Sequence, residues 1–134
     1  MNILKLQGLD GRLFDLVAPL VMNPAVLRQN NNYPFKTSEE YVWFIALRER
    51  EVVGLIPVEQ KNRKKAVINN YYVKAEGAER EEILSLLLPA VTAKFEPESW
   101  LLNSITLIQD KEIFEKFEFT SLDKKWTRYV KMYR

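Results

Sequence analysis

The chain has 134 residues, a formal net charge of +2 and 47% apolar residues, and we expect residues 1–134 to form a single globular domain. It contains no cysteine and no histidine, which excludes disulfides, a zinc centre and a serine–histidine catalytic pair and favours the cytoplasm. The small net charge and the lack of an apolar run of about 20 residues argue against nucleic-acid and membrane partners.

The first segments are predicted to form a strand and then a helix. The run NILKLQ alternates apolar and polar side chains, as a half-buried strand does. Asp10 is a candidate N-cap, because its side chain can accept a hydrogen bond from a backbone N–H of the first turn. The spacing of Leu13, Phe14 and Val17 predicts a helix that turns these side chains inward and ends near Pro19.

A second short helix is predicted directly afterwards. Asn23 can cap it, and Pro24 suits its first position because that residue needs no backbone N–H. The helix should continue to about Gln29, where a run of asparagines breaks it.

Two patterns compete in the next segment, TSEEYVWFIALR. Thr37 and Glu40 have the spacing of a capping box, which favours a helix. The β-branched and aromatic residues at 41–48 favour a strand. A charged turn and a second β-rich run at 52–59 follow, so we predict a β-hairpin.

The run KAVINNYYVK is predicted to be the third strand of an antiparallel meander. Strict alternation places Tyr71 and Val73 on the same face as Val67. Asparagine is depleted in strands. Asn69 and Asn70 therefore indicate either a polar cleft where strands separate or a β-bulge.

A polar turn, KAEGAEREE, leads into an apolar helix. Five aliphatic side chains between Ile83 and Val91 recur at helical spacing. Pro89 interrupts them at a cost of about 3 kcal/mol. Burial of the five side chains contributes about 1.5–3 kcal/mol each, so one kinked helix is expected rather than two separate helices.

The C-terminal third is predicted to contain a strand, a short helix and two extended runs. The strand covers residues 100–108, and Asp110 is the candidate cap of the helix, which turns Ile113, Phe114 and Phe117 inward. The extended runs FEFTSL and WTRYVKMYR flank a DKK turn. The final, aromatic run is a candidate contact for a homodimer.

This order of elements resembles the GNAT (N-acetyltransferase) superfamily over nearly the whole chain. EVVGLIPV is similar to that superfamily's third strand, NNYYVKAEG resembles its fourth strand entering the cofactor loop, and IFEKFEF resembles its Y-E-K-x-G-F segment. The resemblance implies an α+β fold with α/β/α-type layers. Its sheet would be mixed and mostly antiparallel, with about six or seven strands and helices on both faces.

The resemblance also implies a site for acetyl-CoA. In the superfamily the fourth strand separates from the fifth and binds the pantetheine arm, a role that would fall to the backbone of Tyr72 and Val73. The loop that follows, R/Q-x-x-G-x-G/A, presents backbone N–H groups at a helix N-terminus to the pyrophosphate, where the helix dipole favours an anion. By resemblance this cradle begins with Ala78, Glu79 and Arg80.

Acidic residues replace glycines in this loop. Glu79 and Glu81 occupy the first two glycine positions. Two unit charges about 4 Å apart repel by about 4 kcal/mol at an effective dielectric constant near 20, whereas a helix N-terminus attracts an anion by about 0.3–2 kcal/mol. The acidic turn therefore also fits a second interpretation, in which its carboxylates complement the helix dipole and bind no phosphate.

The candidate catalytic residues are Glu59 and Tyr72. The tyrosine that often serves the superfamily as general acid corresponds to Phe114, whose ring cannot donate a proton. Glu59 lies at the end of the second meander strand, near where a superfamily base can be found, and is our candidate for taking a proton from an amine. Tyr72 is our candidate acid or hydrogen-bond partner, and no metal site is expected.

Three interpretations of the function follow. The first is an acetyl-CoA-dependent N-acetyltransferase that acts on a primary amine of a small molecule or peptide. The second is a catalytically inactive binding or assembly module with the GNAT fold and without acetyl-CoA. The third is an unrelated α+β interaction domain, which a structure with fully paired fourth and fifth strands would favour.

Overall fold

The computed structural model describes residues 1–30, 32–125 and 128–134. Trp126, which belongs to the predicted final run, lies outside the described residues. The strands are β1 (Asn2–Gln7), β2 (Tyr41–Arg48), β3 (Glu51–Lys61), β4 (Lys65–Ile68), β5 (Tyr72–Val73), β6 (Leu101–Leu107), β7 (Thr120–Lys125) and β8 (Tyr129–Tyr133). The helices are α1 (Gly11–Val21), α2 (Pro24–Gln29), α3 (Gly77–Phe95) and α4 (Lys111–Lys116).

The strands form one mixed, mostly antiparallel sheet in the order β1-β2-β3-β4-β6-β8-β7, with β5 paired to β3. Among the described strands, the only parallel pair is β4 with β6. In the residues that the structure describes, the sheet has eight strands rather than six or seven, because the predicted third meander strand is split into β4 and β5. The strand β8 lies between β6 and β7, so both of its edges are occupied and neither can add a strand from a second copy.

Helices cover both faces of this sheet, as predicted. The long helix α3 packs its aliphatic side chains against Phe44, Ile56 and their neighbours in one buried cluster. Leu13 of α1 and Val26 of α2 pack with Trp43 in a second cluster on the opposite face. The two clusters are the two cores of an α/β/α arrangement.

The first helix differs from its prediction in two respects. Leu13 and Val17 are buried, but Phe14 is 69% exposed, because it lies about 100° around the helix from Leu13 and falls outside the buried stripe. The helix also continues through Pro19. Asp10 is its N-cap, accepting a hydrogen bond from the backbone N–H of Arg12, and hydrogen bonds from the Arg12 side chain and backbone lower the pKa of Asp10 to about 2.

The capping-box pattern at residues 37–40 does not start a helix. The Thr37 hydroxyl donates to the Gly8 carbonyl at 2.8 Å and accepts from Trp43 Nε1 at 3.0 Å. This threonine therefore joins the end of β1 to the start of β2. The strand β2 forms as predicted, because its β-branched and aromatic side chains pack alternately in the two cores.

The helix α3 is one helix and contains Pro89, as predicted. It lies close to the sheet at Gly54, where an added Cβ would come within 2.9 Å of Ile83 Cγ2 and 3.1 Å of Leu87 Cδ1. A glycine in β3 thus allows this close approach.

In the part of the chain that the structure describes, no helix is both long and apolar enough to cross a membrane.

Candidate functional site

The strands β4 and β6 pair at one end and separate at the other. Their parallel register runs from Lys65 opposite Leu101 to Ile68 opposite Ser104. Beyond Ile68 the chain leaves β6, and β5 pairs with β3 instead. The full pairing that would favour the third interpretation, an unrelated α+β interaction domain, is therefore not found between these described strands. We refer to the gap between β5 and the end of β6 as the opening.

Residues 69–71 form the bulge that creates the opening. Ala66 and Ile68 of β4 belong to the same buried cluster as Tyr71 and Val73, while Tyr72 belongs to the cluster on the opposite face. One extra residue has shifted the alternation. The prediction of strict alternation, with Tyr71 and Val73 facing as Val67 does, is wrong for this reason.

The side chain of Asn30 fills the opening beside β5. Its Nδ2 donates to the Tyr71 carbonyl at 2.8 Å, and its Oδ1 accepts from the Tyr71 N–H at 3.3 Å. Asn30 follows the last residue of α2 and is 6% exposed. It therefore satisfies both backbone groups of Tyr71 that a neighbouring strand would otherwise bond.

The Tyr71 hydroxyl connects the two sides of the opening. It donates to Asp110 Oδ2 at 2.6 Å and accepts from the backbone N–H of Leu107, at the end of β6, at 3.0 Å. Tyr71 is 0% exposed and Asp110 is 3% exposed. Asp110 precedes α4 as predicted, but its side chain makes no capping hydrogen bond, because it is directed into this network.

Arg80 completes the network from the first turn of α3. Its Nε and Nη2 each donate to a carboxylate oxygen of Asp110 at 2.7 Å, and the Arg80 side chain is 4% exposed. Its Nη1 donates to the carbonyls of Val73 and Ala75, both at 3.3 Å. Burial lowers the pKa of Arg80, but the hydrogen bonds and charge of Asp110 raise it by more, so the guanidinium remains charged although it is buried.

The acidic first turn of α3 is directed toward cations on its flanks. Glu79 pairs with Arg48, and Glu81 pairs with Lys116 at 2.7 Å. Ala78 is exposed. Of the three predicted cradle residues, the structure therefore places two at the surface and turns the third, Arg80, inward toward Asp110.

A cavity of about 170 Å³ lies beside this turn, between α3 and α4. Its charged lining residues are Glu76, Arg80, Glu81, Asp110, Glu112 and Lys116. These are four carboxylates against two cations. The position where a pyrophosphate would approach the helix therefore carries an excess of negative charge.

The two catalytic candidates are not brought together. Glu59 is opposite Val67, and Tyr72 is opposite Leu55, so four residues of β3, about 13 Å of strand, separate their positions. Tyr72 packs in the cluster beneath α1 and α2. Glu59 instead accepts a hydrogen bond from Asn69 Nδ2 at 3.0 Å.

A larger cavity, of about 550 Å³, adjoins the opening on the side of Asn30. The hydroxyl of Tyr129 is buried and has no hydrogen-bond partner among the described residues. Burial raises the pKa of Tyr129. The lining residues are Asn30, Asn32, Tyr33, Pro34, Asn69, Ile105 and Tyr129.

Sequence reasoning missed the roles of Asn30, Tyr71 and Asp110. Asn30 and Tyr71 are 41 positions apart, and Arg80 and Asp110 are 30 positions apart, so no local pattern connects them. The one available signal was the depletion of asparagine in strands, which marked the bulge beside Tyr71.

The buried hydroxyl of Tyr71 predicts a loss of stability at alkaline pH. Burial, and then the negative charge of Asp110, raise the pKa of Tyr71 well above its ordinary value. The unfolded chain releases this proton near pH 10 and the folded chain retains it. The contribution of Tyr71 to the free energy of unfolding is therefore fully present below about pH 10. Above about pH 10 it falls by about 1.4 kcal/mol per pH unit.

Urea unfolding of the wild-type chain and of Tyr71→Phe across pH 8–12 measures this effect. Above about pH 10 the free energy of unfolding should fall less steeply for the variant than for the wild-type chain. The two slopes should differ by about 1.4 kcal/mol per pH unit. Tyr41, Tyr72 and Tyr129, whose pKa values are also raised, titrate in both proteins and cancel in the comparison. Parallel curves for the two proteins would contradict the buried, protonated state of Tyr71.

No family model matches this chain, and no curated protein matches it. Its fold is similar to that of ElaA from Escherichia coli, with a TM-score of 0.73 and 14% identity over 100% of this chain and 99% of that one. An acyl-CoA N-acyltransferase from Pseudomonas aeruginosa has a TM-score of 0.70 and 11% identity, over 100% of this chain and 99% of that one. The GNAT domain of S. lividans PAT has a TM-score of 0.68 and 10% identity, over 98% of this chain and 88% of that one.

All three likenesses span nearly the whole chain, and at these identities they concern the fold. The mixed, mostly antiparallel sheet, the helices on both of its faces and the separating parallel strands agree with them. The chain is a GNAT-fold protein.

Proposed function

We propose that residues 1–134 form a single GNAT-fold domain that acts as a binding module and does not use acetyl-CoA. One observation carries this proposal: both backbone groups of Tyr71, the carbonyl of Val73 and the N–H of Leu107, which border the opening, are already bonded to side chains of the same chain. Tyr71 is bonded by Asn30, Val73 by Arg80, and Leu107 by the Tyr71 hydroxyl. The residues of this site therefore do not fit a pantetheine arm.

Displacing these side chains would be costly. If a ligand displaced the whole Arg80 side chain, from Asp110 as well as from Val73, Asp110 would lose the partner of a buried ion pair, which costs about 3–5 kcal/mol. Each factor of ten in affinity corresponds to about 1.4 kcal/mol. The need to displace Arg80 should therefore weaken the binding of acetyl-CoA by at least a hundredfold relative to an open site.

Charge acts in the same direction at the pyrophosphate position. Glu76, Asp110 and Glu112 line the small cavity with Glu81, against Arg80 and Lys116. Arg80 pairs with Asp110 and, at 4.0 Å, with Glu76, and Lys116 pairs with Glu81. A pyrophosphate would thus meet a lining with more carboxylates than cations, and each unit of excess charge at about 4 Å would repel it by about 4 kcal/mol.

A turnover assay tests this proposal. The protein is incubated with acetyl-CoA and a panel of primary amines (a polyamine, a lysine peptide and an aminoglycoside), and free CoA is detected with a thiol reagent. The chain has no cysteine, so it contributes no thiol background. We expect no amine-dependent thiol release, whereas release proportional to protein concentration would contradict the proposal.

One observation favours a second candidate function, acetyl-CoA-dependent N-acetyl transfer to a primary amine. The cavity of about 550 Å³ joins the opening, and Asn69 in its lining holds the carboxylate of Glu59. An amine entering this cavity would meet the rings of Tyr33 and Tyr129 and the side chain of Asn69, whose partner Glu59 is a potential base. Amine-dependent thiol release that Glu59→Gln abolishes would establish this candidate instead.

The cellular setting is also a proposal. Disulfides form in oxidising compartments, and this chain has no cysteine to form one. We therefore propose that this protein acts in the cytoplasm.

A further inference from the structure

A third cavity, of about 330 Å³, lies beneath α1 and shares no lining residue with the cavity between α3 and α4 or with the one that adjoins the opening. Its volume lies at the lower end of the range for small-molecule sites, about 300–1,000 Å³. Its apolar lining residues include Leu13, Phe14, Val17, Val21, Phe35 and Trp43. We call it the α1 cavity.

The walls of the α1 cavity are fixed by hydrogen bonds. The Thr37 hydroxyl uses its proton on the Gly8 carbonyl and accepts from the Trp43 indole. At Gly8 two segments of the chain lie so close together that an added Cβ would be 2.0 Å from the Ser38 carbonyl oxygen. The ring of Phe35 lies 6.4 Å from that of Trp43. The cavity is therefore preformed, as small-molecule sites usually are.

Two large apolar side chains beside the α1 cavity are exposed to solvent. Leu9 is 65% exposed and Phe14 is 69% exposed, and both line the cavity. A ligand seated there would remove part of this apolar surface from water, at about 25 cal/mol for each Å².

The charge at the rim of the α1 cavity is positive. Asp10 is neutralised by two hydrogen bonds from the Arg12 side chain, at 3.0 and 2.9 Å. Lys36 has no carboxylate within ion-pair distance in the described part of the chain, and its Nζ lies 5.7 Å from the centre of the Tyr33 ring. The rim thus offers one cation that is free to meet an anionic group.

We propose that the α1 cavity binds a small amphipathic carboxylate, with its hydrocarbon body against Val17 and Trp43 and its carboxylate at Lys36. A medium-chain fatty acid such as octanoate has this chemistry. A primary alkylamine would be repelled by Lys36, and an alcohol of the same length would leave the lysine without a partner. This inference does not depend on the state of the opening.

Titration with octanoate, followed by the indole N–H signals in ¹H–¹⁵N spectra, tests the proposal. The indole of Trp43 lines the α1 cavity and that of Trp100 does not. We expect a saturable shift of the Trp43 signal and a constant Trp100 signal. Octanol and octylamine are titrated in parallel, and octylamine should bind at least fivefold more weakly than octanoate. No saturable shift with millimolar octanoate, or equal binding of octylamine, would overturn the proposal.

Two variants locate the ligand. Ala18 lines the cavity and is half-buried on α1, so Ala18→Leu should fill the cavity and reduce octanoate binding more than tenfold. Ala90→Leu, at a half-buried position of α3 outside this cavity, is the matched control and should bind normally. Undiminished binding by a folded Ala18→Leu variant would place the ligand elsewhere and overturn the proposal.

The charge contribution is tested with variants that do not depend on filling the cavity. Lys36→Gln should weaken octanoate about two- to fivefold, the range of an exposed ion pair, and leave octanol unchanged. The exposed Lys65 lies outside the cavity, and Lys65→Gln should change neither ligand. Equal effects of the two lysine variants on octanoate would contradict the assignment of Lys36.

Discussion

Replacing Asp110 with asparagine should lower the free energy of unfolding by about 3–5 kcal/mol. The substitution preserves the shape of the side chain, so it creates no cavity, but it leaves the Arg80 guanidinium charged and 4% exposed without its counter-ion. Arg80→Met should lower the free energy of unfolding by a similar amount. It leaves the buried Asp110 carboxylate without its partner and also removes the donor to the carbonyls of Val73 and Ala75. Urea unfolding at neutral pH measures both.

The double variant separates the ion pair from simple loss of packing. Because each single substitution leaves one buried charge alone, Arg80→Met combined with Asp110→Asn should be less destabilised than the sum of the two, by about 2–3 kcal/mol. The exposed pair of Arg12 and Asp10, whose side chains are 67% and 25% exposed, provides the matched cycle and should show a much smaller coupling, because water screens its charges. Additive effects at Arg80 and Asp110 would mean that the network does not hold the opening closed.

Replacing Asn30 with alanine should lower the free energy of unfolding by about 2–4 kcal/mol, since a buried backbone group left without a partner costs about 1–3 kcal/mol. The substitution removes the donor to the Tyr71 carbonyl and the acceptor of the Tyr71 N–H together. None of the described strands is paired to this edge of β5, so none of them replaces the lost bonds.

Hydrogen exchange gives a local measurement of the same effect. The Tyr71 amide should exchange slowly in the wild-type chain and much faster in Asn30→Ala. Asn2→Ala, at an exposed position of β1, is the control, and its stability should stay within about 0.5 kcal/mol of the wild type. An Asn30→Ala variant of unchanged stability, with a protected Tyr71 amide, would show that another group bonds this edge.

Much of the fold could be predicted because its signals are local. Alternation defined β1, the cap and proline at residues 23 and 24 defined the start of α2, and aliphatic spacing outweighed Pro89 in α3. The same local rules were wrong where a tertiary contact decided the outcome. Thr37 is used by Gly8 and Trp43 rather than by a helix, and the bulge before Tyr72 reversed the predicted faces.

The sequence marked the segment of the candidate site, but it did not predict that side chains of the same chain would close the opening. Asn69 and Asn70, read as a polar cleft or a bulge, and the acidic turn marked the segment that borders the opening. The partners that close it come from α2 and from the residue before α4, and contacts over such separations leave no periodic signal. The acidic turn shows the same limit, because Glu79 and Glu81 are compensated by Arg48 and Lys116, which sequence spacing does not connect to them.

Thermal unfolding with and without millimolar acetyl-CoA, with free CoA in parallel, tests most directly whether the opening is closed by the chain's own side chains. A ligand at about one hundred times its dissociation constant adds about 2.7 kcal/mol of stability, which for a domain of this size is a rise of roughly 8–12 °C in Tm. We predict no rise with either ligand. A rise of several degrees with acetyl-CoA would contradict the closed opening and show that Asn30 and Arg80 give way to the cofactor.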